Sequence, residues 1–268
     1  MKIVRFITAD GEVVNGVVEG ALDEAKIIEG DIFENFEVTE RVERIEKLLA
    51  PLKPTNIIAL GLNYGKHADE TGIRKPETPV MFIKATNTVT GHGDYIILPE
   101  AGPDEVDYEA ELALVIGRDA KNLSPEEVND CIFGYTCTND VSARDWQIYR
   151  QKKQWARGKS FDTFCPMGPW LVTKDEIGDP DNLRIRAILN GEVMQDSSTS
   201  DMIFDTRAII SDLSRSMTLL KGTVIMTGTP EGVGFTRVPP IFLREGDTIT
   251  VEIERVGTLT NPVKREKM

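Results

Sequence analysis

The chain has 268 residues, 40% of them hydrophobic and 28% charged, which suffices for one large domain or for a main domain with a small appendage. The formal net charge of −13 argues against nucleic-acid partners and anionic membrane surfaces, because both attract positively charged proteins.

The termini and the cysteines point to an intracellular protein. No apolar run reaches the length of about 18 residues that a transmembrane helix needs, and the N-terminus has no signal-peptide pattern. The three cysteines are odd in number and form no CxxC motif, which favours reduced thiols. We therefore expect a cytoplasmic protein without a membrane segment.

The first 54 residues differ in pattern from the rest and predict a small β-rich N-terminal module. Residues 2–6 and 12–18 alternate in hydrophobicity around a turn at residues 9–11, which is typical of a β-hairpin. Apolar residues at positions 42, 45, 48 and 49 predict one helix, and two prolines follow at positions 51 and 54. A larger second domain is then expected over residues 55–268.

Short apolar runs recur through this second part and predict strands at residues 57–60, 80–83, 111–116, 170–172, 183–189, 223–226 and 249–253. Helices are predicted only at residues 143–153 and 206–217. Because strands and helices do not alternate, a doubly wound parallel sheet is not expected. The pattern favours a mostly β member of the α+β class, with few helices.

Two glutamates one residue apart, Glu109 and Glu111, stand in an otherwise apolar run that ends at Ile116. A strand would direct both carboxylates to one face, and burying two like charges is costly without a cation. Asp140 ends the next apolar stretch and supplies a third carboxylate. Surface glutamates are the alternative, but both faces of the strand look apolar. The three carboxylates therefore predict a Mg²⁺ or Mn²⁺ site, since no cysteine or histidine cluster supports zinc.

His67 and Glu70 follow the predicted strand at residues 57–60. In a helix they would be i, i+3 neighbours, so that Glu70 could orient His67 as a general base for water. An exposed pair on a surface helix is the alternative reading. The polar segment 65–79 contains two glycines and two prolines and is a candidate lid.

Two further segments could contact a ligand. Residues 157–160 resemble the end of a phosphate loop, but position 153 is lysine rather than glycine, which excludes a Walker A motif. Lys159 could instead stabilise a developing anion. Thr229 lies in a glycine-rich turn, residues 227–234, where the backbone could approach a ligand closely.

Taken together, these segments resemble the fumarylacetoacetate hydrolase family. The matching stretches lie in the family's order over residues 60–235 and are GLNYGKHADETG, VDYEAELALVIG, GYTCTNDVSARDWQ, GKSFDTFCPMGPW, LNGEVMQDSSTSDMIF and VIMTGTPEGVG.

The resemblance implies layered mixed β-sheets, a homodimer and a divalent metal ion bound by Glu109, Glu111 and Asp140. It implies that His67 and Glu70 activate water on a lid. It further implies that Gln147 and Lys159 orient the substrate and stabilise its charge, and that Thr229 contacts its carboxylate. Arg144 lies in the matching helix, and no role is assigned to it.

The reaction implied by this resemblance is hydrolytic C–C cleavage of a small 2,4-diketo acid such as an acylpyruvate. Oxaloacetate decarboxylation and isomerisation of a 2-oxo-diacid at the same metal site are alternatives. A binding protein with a structural metal ion is a third possibility, and the sequence leaves the acyl group undetermined.

Overall fold

The computed structural model describes residues 1–267, and most of the regular structure in that range is β-strand. The strands are β1 Lys2–Ile7, β2 Val13–Val18, β3 Glu24–Gly30, β4 Phe36–Arg44, β5 Lys47–Leu49, β6 Ile57–Gly61, β7 Val80–Lys84, β8 Val89–Thr90, β9 Ile96–Leu98, β10 Val106–Asp107, β11 Ala110–Ile116, β12 Ile132–Asn139, β13 Ser142–Ala143, β14 Cys165–Thr173, β15 Arg184–Leu189, β16 Glu192–Ser198, β17 Val224–Met226, β18 Thr248–Ile253 and β19 Gly257–Arg265. The α-helices are α1 Gly65–Thr71, α2 Trp155–Gly158, α3 Lys174–Ile177 and α4 Thr206–Ser216.

Two mixed sheets contain all of these strands except β10 and β13, which pair with each other. The larger has twelve strands with the main order β4-β3-β2-β1-β14-β12-β11-β17-β6-β7, and the smaller has five in the order β16-β15-β18-β19-β9. Most neighbours are antiparallel, but β17 and β6 run parallel, as do β19 and β9. Leu112 and Leu114 of the larger sheet share one apolar core with Ile185 and Val251 of the smaller. The prediction of a mostly β fold with layered mixed sheets is confirmed.

The N-terminal region contains the predicted hairpin but not the predicted helix. Strands β1 and β2 pair antiparallel, whereas residues 42–49 are divided between β4 and β5. The helix prediction was wrong because pairing overrides the apolar spacing: β4 pairs with β3, and β5 pairs with β1. Strand β1 also pairs with β14, so the larger sheet contains strands from both sides of the predicted module boundary at residue 54. That boundary stays a prediction.

Helix α4 confirms the prediction for residues 206–217, and the Asp205 carboxylate accepts a hydrogen bond from the Ala208 N–H at its N-terminus. The helix predicted over residues 143–153 is wrong in type and length. A π-helical segment, Asp145–Arg150, lies there instead, and Lys152 and Lys153 have φ values of 51° and 63° that end it. None of the helices described within residues 1–267 is long and apolar enough to span a membrane.

Strand β11 lies in the middle of the larger sheet, between β12 and β17, and all seven of its residues are buried. Leu112, Leu114 and Ile116 pack in the core shared with the smaller sheet, whereas Ala113 and Val115 pack in a second core. Both faces are therefore apolar, as the sequence predicted. Any charged group on this strand must find its partner inside the protein.

Candidate active site

The pairing of β11 with β12 brings the three predicted metal ligands together. Ala110 is opposite Asn139, and the Asp140 N–H donates to the Glu109 carbonyl at 2.9 Å. One carboxylate oxygen from each of Glu109, Glu111 and Asp140 lies within 4.8 Å of the others, and all three residues are buried. The cluster therefore depends on the pairing register of β11 and β12, which brings together residues some 30 positions apart in the sequence.

The two glutamates have opposite electrostatic environments. Burial opposes ionisation of Glu109, but Lys159 and Arg144 outweigh it and lower its pKa to about 2. Burial, followed by the charges of Asp140 and Glu109, raises the pKa of Glu111 well above its usual value. The Glu111 Oε2 accepts the Gly228 N–H at 2.8 Å, while its Oε1 is buried without a hydrogen-bond partner among the described residues. Glu111 is thus the carboxyl group that most needs a cation.

Two lysines enter the cluster. The Lys159 Nζ donates to Glu109 Oε2 at 2.8 Å, Asp140 Oδ2 at 2.6 Å and Ser142 Oγ at 2.8 Å. These contacts use all three of its N–H groups, so a substrate anion would have to replace one of them. The fully buried Lys84 of β7 donates to Asp140 Oδ1. Sequence reasoning missed Lys84, although it ends an apolar strand where a lysine without a partner would be costly.

Arg144 forms a second charged group at the site with Asp107, which sequence reasoning also missed. Its Nε and Nη2 donate to Asp107 Oδ2 at 3.0 and 2.7 Å. Its Nη1 lies 2.7 Å from Glu109 Oε1 and donates to Gln147 Oε1 at 2.8 Å. Asp107 also accepts the N–H groups of Gly234 and Phe235, and therefore fixes Arg144 against the glycine-rich turn.

The composition of this buried group fits a divalent cation. Four carboxylates face three cationic side chains, which leaves formally one negative charge in excess; the members are Asp107, Glu109, Glu111, Asp140, Lys84, Arg144 and Lys159. A divalent ion would convert this into one positive charge, which suits an anionic ligand. Carboxylate oxygens are also the ligands that hard cations prefer. The acidic triad could therefore bind a metal ion.

Helix α1 carries the second predicted pair. The His67 Nδ1 lies 3.0 Å from Glu70 Oε2, and Glu70 Oε1 accepts the Gly232 N–H at 3.0 Å and the Thr236 hydroxyl at 2.9 Å. Burial alone would raise the pKa of Glu70, but the hydrogen bonds from His67, Thr236 and Gly232 lower it. Because an ionised Glu70 only accepts, Nδ1 is the donor, and Nε2 is left free to exchange a proton.

Gln147 and Thr229 lie at the same site but are partly committed to protein contacts. The Gln147 Oε1 is bound by Arg144, which leaves its amide N–H groups available. The Thr229 hydroxyl donates to the Ala110 carbonyl at 3.0 Å and accepts from Gln195 at 2.8 Å. Its single proton is therefore already used, and Gln195 is another residue that the sequence did not single out.

One cavity of about 560 Å³ joins these groups. Six of the eight predicted site residues line it: His67, Glu70, Glu109, Gln147, Lys159 and Thr229. Glu111 and Asp140 are not part of the lining and lie behind Glu109. A ligand in the cavity would consequently meet a histidine and several cationic or polar groups, with the acidic triad at its inner end.

Comparison with known proteins gives the family context. The family described as fumarylacetoacetate (FAA) hydrolase C-terminal matches residues 56–264, and an Rv2993c-like N-terminal family matches residues 1–51. The mitochondrial oxaloacetate tautomerase fahd2 of Xenopus laevis is 49% identical over 217 residues, covering 81% of this chain and 68% of that protein.

Two solved structures are similar over nearly the whole chain. A 5-carboxymethyl-2-hydroxymuconate delta-isomerase from Mycobacterium smegmatis has a TM-score of 0.87 and 42% identity, covering 99% of this chain and 100% of that one. A fumarylacetoacetate hydrolase from Exiguobacterium antarcticum has a TM-score of 0.87 and 38% identity with the same coverage. The names of these relatives thus include a tautomerase, an isomerase and a hydrolase.

Proposed function

Since the chain belongs to the fumarylacetoacetate hydrolase family, whose enzymes act on small-molecule acids, we propose that it catalyses keto–enol tautomerisation of a 2-oxo acid with a second carbonyl group at C4. Oxaloacetate is the simplest test substrate. The observation that carries the proposal is one cavity in which His67, held by Glu70, faces Arg144 and Lys159 beside the acidic triad. The names of the tautomerase and isomerase relatives favour proton transfer as the reaction.

The proposed cofactor is Mg²⁺ or Mn²⁺, held by Glu109, Glu111 and Asp140. The unpartnered oxygen of Glu111 and the excess negative charge of the cluster support a hard divalent ion. When bound, such an ion supplies Lewis-acid stabilisation of negative charge on the oxygens of a 2-oxo acid.

His67 is the proposed acid–base group. In the keto-to-enol direction its Nε2 takes a proton from C3, the C–H electron pair becomes the C2–C3 double bond, and the 2-oxo oxygen takes up a proton from solvent to give the enol. In the reverse direction the enol oxygen loses its proton to solvent and Nε2 returns a proton to C3. Glu70 makes Nδ1 the donor nitrogen through the 3.0 Å contact and holds the ring in one orientation.

The cationic and amide groups are proposed to bind the acid and its developing charge. The Gln147 N–H groups face the cavity, and Arg144 fixes the amide by binding its oxygen. Lys159 can donate to the substrate after exchanging one of its three present acceptors. Thr229 is best placed to act through its backbone N–H, since its hydroxyl proton is donated to the Ala110 carbonyl.

Hydrolytic C–C cleavage, the reaction predicted from the sequence, is the second candidate. The same Nε2 of His67 could take a proton from water instead of from C3. A cavity of about 560 Å³ supports this alternative, because oxaloacetate would fill only a small part of it and an acyl chain would fill more.

The test compares oxaloacetate and acetylpyruvate with wild-type protein in Mg²⁺, following loss of enol absorbance and release of pyruvate. His67→Ala should abolish ketonisation of enol-oxaloacetate, whereas His92→Ala should not. His92 is the chain's other histidine and lies outside the cavity, where it accepts the Thr260 N–H. Release of pyruvate from acetylpyruvate without faster ketonisation of enol-oxaloacetate would replace the tautomerase by the hydrolase. Oxaloacetate decarboxylation that survives His67→Ala would overturn both.

We further propose a cytoplasmic location, a homodimer and a module boundary near residue 54. Cys131, Cys137 and Cys165 are buried free thiols, which supports a reducing compartment such as the cytoplasm. The family resemblance supports a homodimer, which light scattering on the purified protein would test. A module boundary near residue 54 is supported by the two family matches, and limited proteolysis would test it.

A further inference from the structure

The cavity has two chemically different parts. Its inner end carries the charged groups described above, whereas its outer part is bounded by an apolar wall made of Leu62, Ile73, Val80, Phe82, Ile148 and Trp155. A ligand that fills the cavity must therefore be charged at one end and apolar at the other.

Strand β7 connects the two parts. Val80, Phe82 and Lys84 alternate onto one face of the strand, and Lys84 binds Asp140 at the inner end. The Lys159 Nζ lies 5.2 Å from the centre of the Phe82 ring, and Val80 lies at the outer end. The four residue steps from Lys84 to Val80 span about 13 Å, of which the two steps from Phe82 to Val80, about 7 Å, belong to the apolar wall, so Val80 lies well beyond an oxaloacetate bound at the inner end.

Packing fixes this wall in place. Trp155 lies edge-to-face against Phe82, with ring centres 5.9 Å apart and planes at 82°. It also lies directly on Gly61, where a Cβ atom would come within 2.1 Å of its ring. The indole can occupy this position only because residue 61 is glycine, and the surface that it presents to the ligand is apolar.

Charged groups at the outer end are few. The Arg74 Nη2 is paired with Glu77 Oε1 at 3.0 Å, and both side chains are largely exposed. Lys153 is the other cation in that part of the lining. A second carboxylate on the ligand would thus be directed against apolar side chains and would lose hydration without gaining a buried cation.

We infer, on the basis of the proposed function, that the preferred substrates are 2-oxo acids whose C4 carbonyl carries an uncharged apolar substituent several carbon atoms long. Val80 at the outer end of the wall is a specificity-determining residue that disfavours a second carboxylate. Oxaloacetate can react at the inner end but leaves the wall unfilled.

Binding of a matched ligand pair tests this inference without turnover. The pair is 2-oxoadipate and the analogue in which an isopropyl group replaces its terminal carboxylate; neither has a carbonyl group at C4, so neither can undergo the proposed C–C cleavage. Calorimetry in Mg²⁺ should show that the isopropyl analogue binds about tenfold tighter or more, since each buried methyl group contributes roughly fourfold.

The variant Val80→Lys should shift this ratio toward 2-oxoadipate by about tenfold, because an ammonium group would then face the distal carboxylate. Ile83→Lys is the matched control. It lies on the same strand with similar exposure, 46% against 39% for Val80, but it is outside the cavity and should leave the ratio unchanged.

Equal or tighter binding of 2-oxoadipate to the wild type would overturn the inference, and a fall in that binding in Lys153→Ala would identify the responsible cation. Equal shifts in Val80→Lys and Ile83→Lys would overturn the role of Val80. If neither compound binds while oxaloacetate is turned over, only this inference fails. If the isopropyl preference holds but no oxo acid reacts, the proposed function fails and the inference about the wall stands.

Discussion

Replacing Glu111 by glutamine should remove metal binding while leaving the metal-free fold at least as stable as the wild type. The glutamine oxygen can still accept the Gly228 N–H, and the side chain no longer carries a carboxylate among Glu109 and Asp140. Most substitutions at a buried polar position destabilise a protein. The expected sign is opposite here because the wild-type group is buried with an unpartnered oxygen.

The magnitude follows from the geometry. The carboxylate oxygens lie within 4.8 Å of one another, and two like charges at that limit repel by about 3.5 kcal/mol at an effective dielectric constant of about 20; Lys159 offsets part of this. Where Glu111 is ionised, the metal-free variant should therefore be more stable than the wild type by on the order of 3 kcal/mol. A metal ion at a hundred times its dissociation constant stabilises the wild type by about 2.7 kcal/mol, or about 5–10 °C in Tm for a chain of this length.

The pH dependence gives a second signature. Burial and the charges of Asp140 and Glu109 raise the pKa of Glu111, so the folded protein holds its proton more tightly than the unfolded chain. This contribution to stability is complete below the unfolded pKa near 4.5 and is lost as the pH rises through the folded pKa. The metal-free wild type should thus lose stability relative to Glu111→Gln toward alkaline pH, and added Mg²⁺ should stabilise it more there.

Thermal unfolding of both proteins, with EDTA or with excess Mg²⁺ at mildly acidic and mildly alkaline pH, measures these effects. Glu37→Gln, at an exposed position of β4, is the control and should retain the full Mg²⁺ shift. Persistence of that shift in Glu111→Gln would refute the assignment of Glu111 as a ligand. A metal-free variant several degrees less stable than the wild type would refute the electrostatic argument.

Three other substitutions have defined outcomes. Lys84→Met should lower the unfolding free energy in urea by about 3–5 kcal/mol, since it removes a buried partner of Asp140; a loss below about 1 kcal/mol would show that Lys159 suffices. Gly61→Ala should lower the unfolding free energy by about 1–3 kcal/mol because the added methyl group displaces Trp155. It should also weaken the binding of apolar 2-oxo acids, and an unchanged affinity in calorimetry would argue against the apolar wall. Glu70→Gln should lower kcat on the order of 100-fold with little change in KM, because Glu70 orients His67. Steady-state kinetics would contradict this orienting role if only KM changed.

The local parts of the candidate site were accessible from sequence. The alternation of Glu109 and Glu111 requires only the two-residue period of a strand, and the contact of His67 with Glu70 requires only one helical turn. Asp140 was singled out by its position at the end of the next apolar stretch, and the resemblance added Gln147 and the order of the motifs. None of these inferences required knowledge of which distant parts of the chain are in contact, except for the contacts that the family resemblance implies.

The errors and omissions involve distant partners. The helix expected at residues 42–49 has a helical apolar spacing, but β1 and β3 offer backbone partners that convert the segment into strands. Lys84 and Asp107 carry no motif of their own. Their partners, Asp140 and Arg144, lie 56 and 37 residues further along the chain.

The sequence by itself determined the fold class and the family, and it predicted eight site residues, because periodicity and motif spacing are properties of neighbouring residues. Only the tertiary structure decided that Glu111 and Asp140 lie behind Glu109, that Lys159 is fully committed to acceptors, and that β7 supplies both a buried lysine and an apolar wall. These features depend on strand register and on packing between remote segments, which bring together side chains with no relation along the chain.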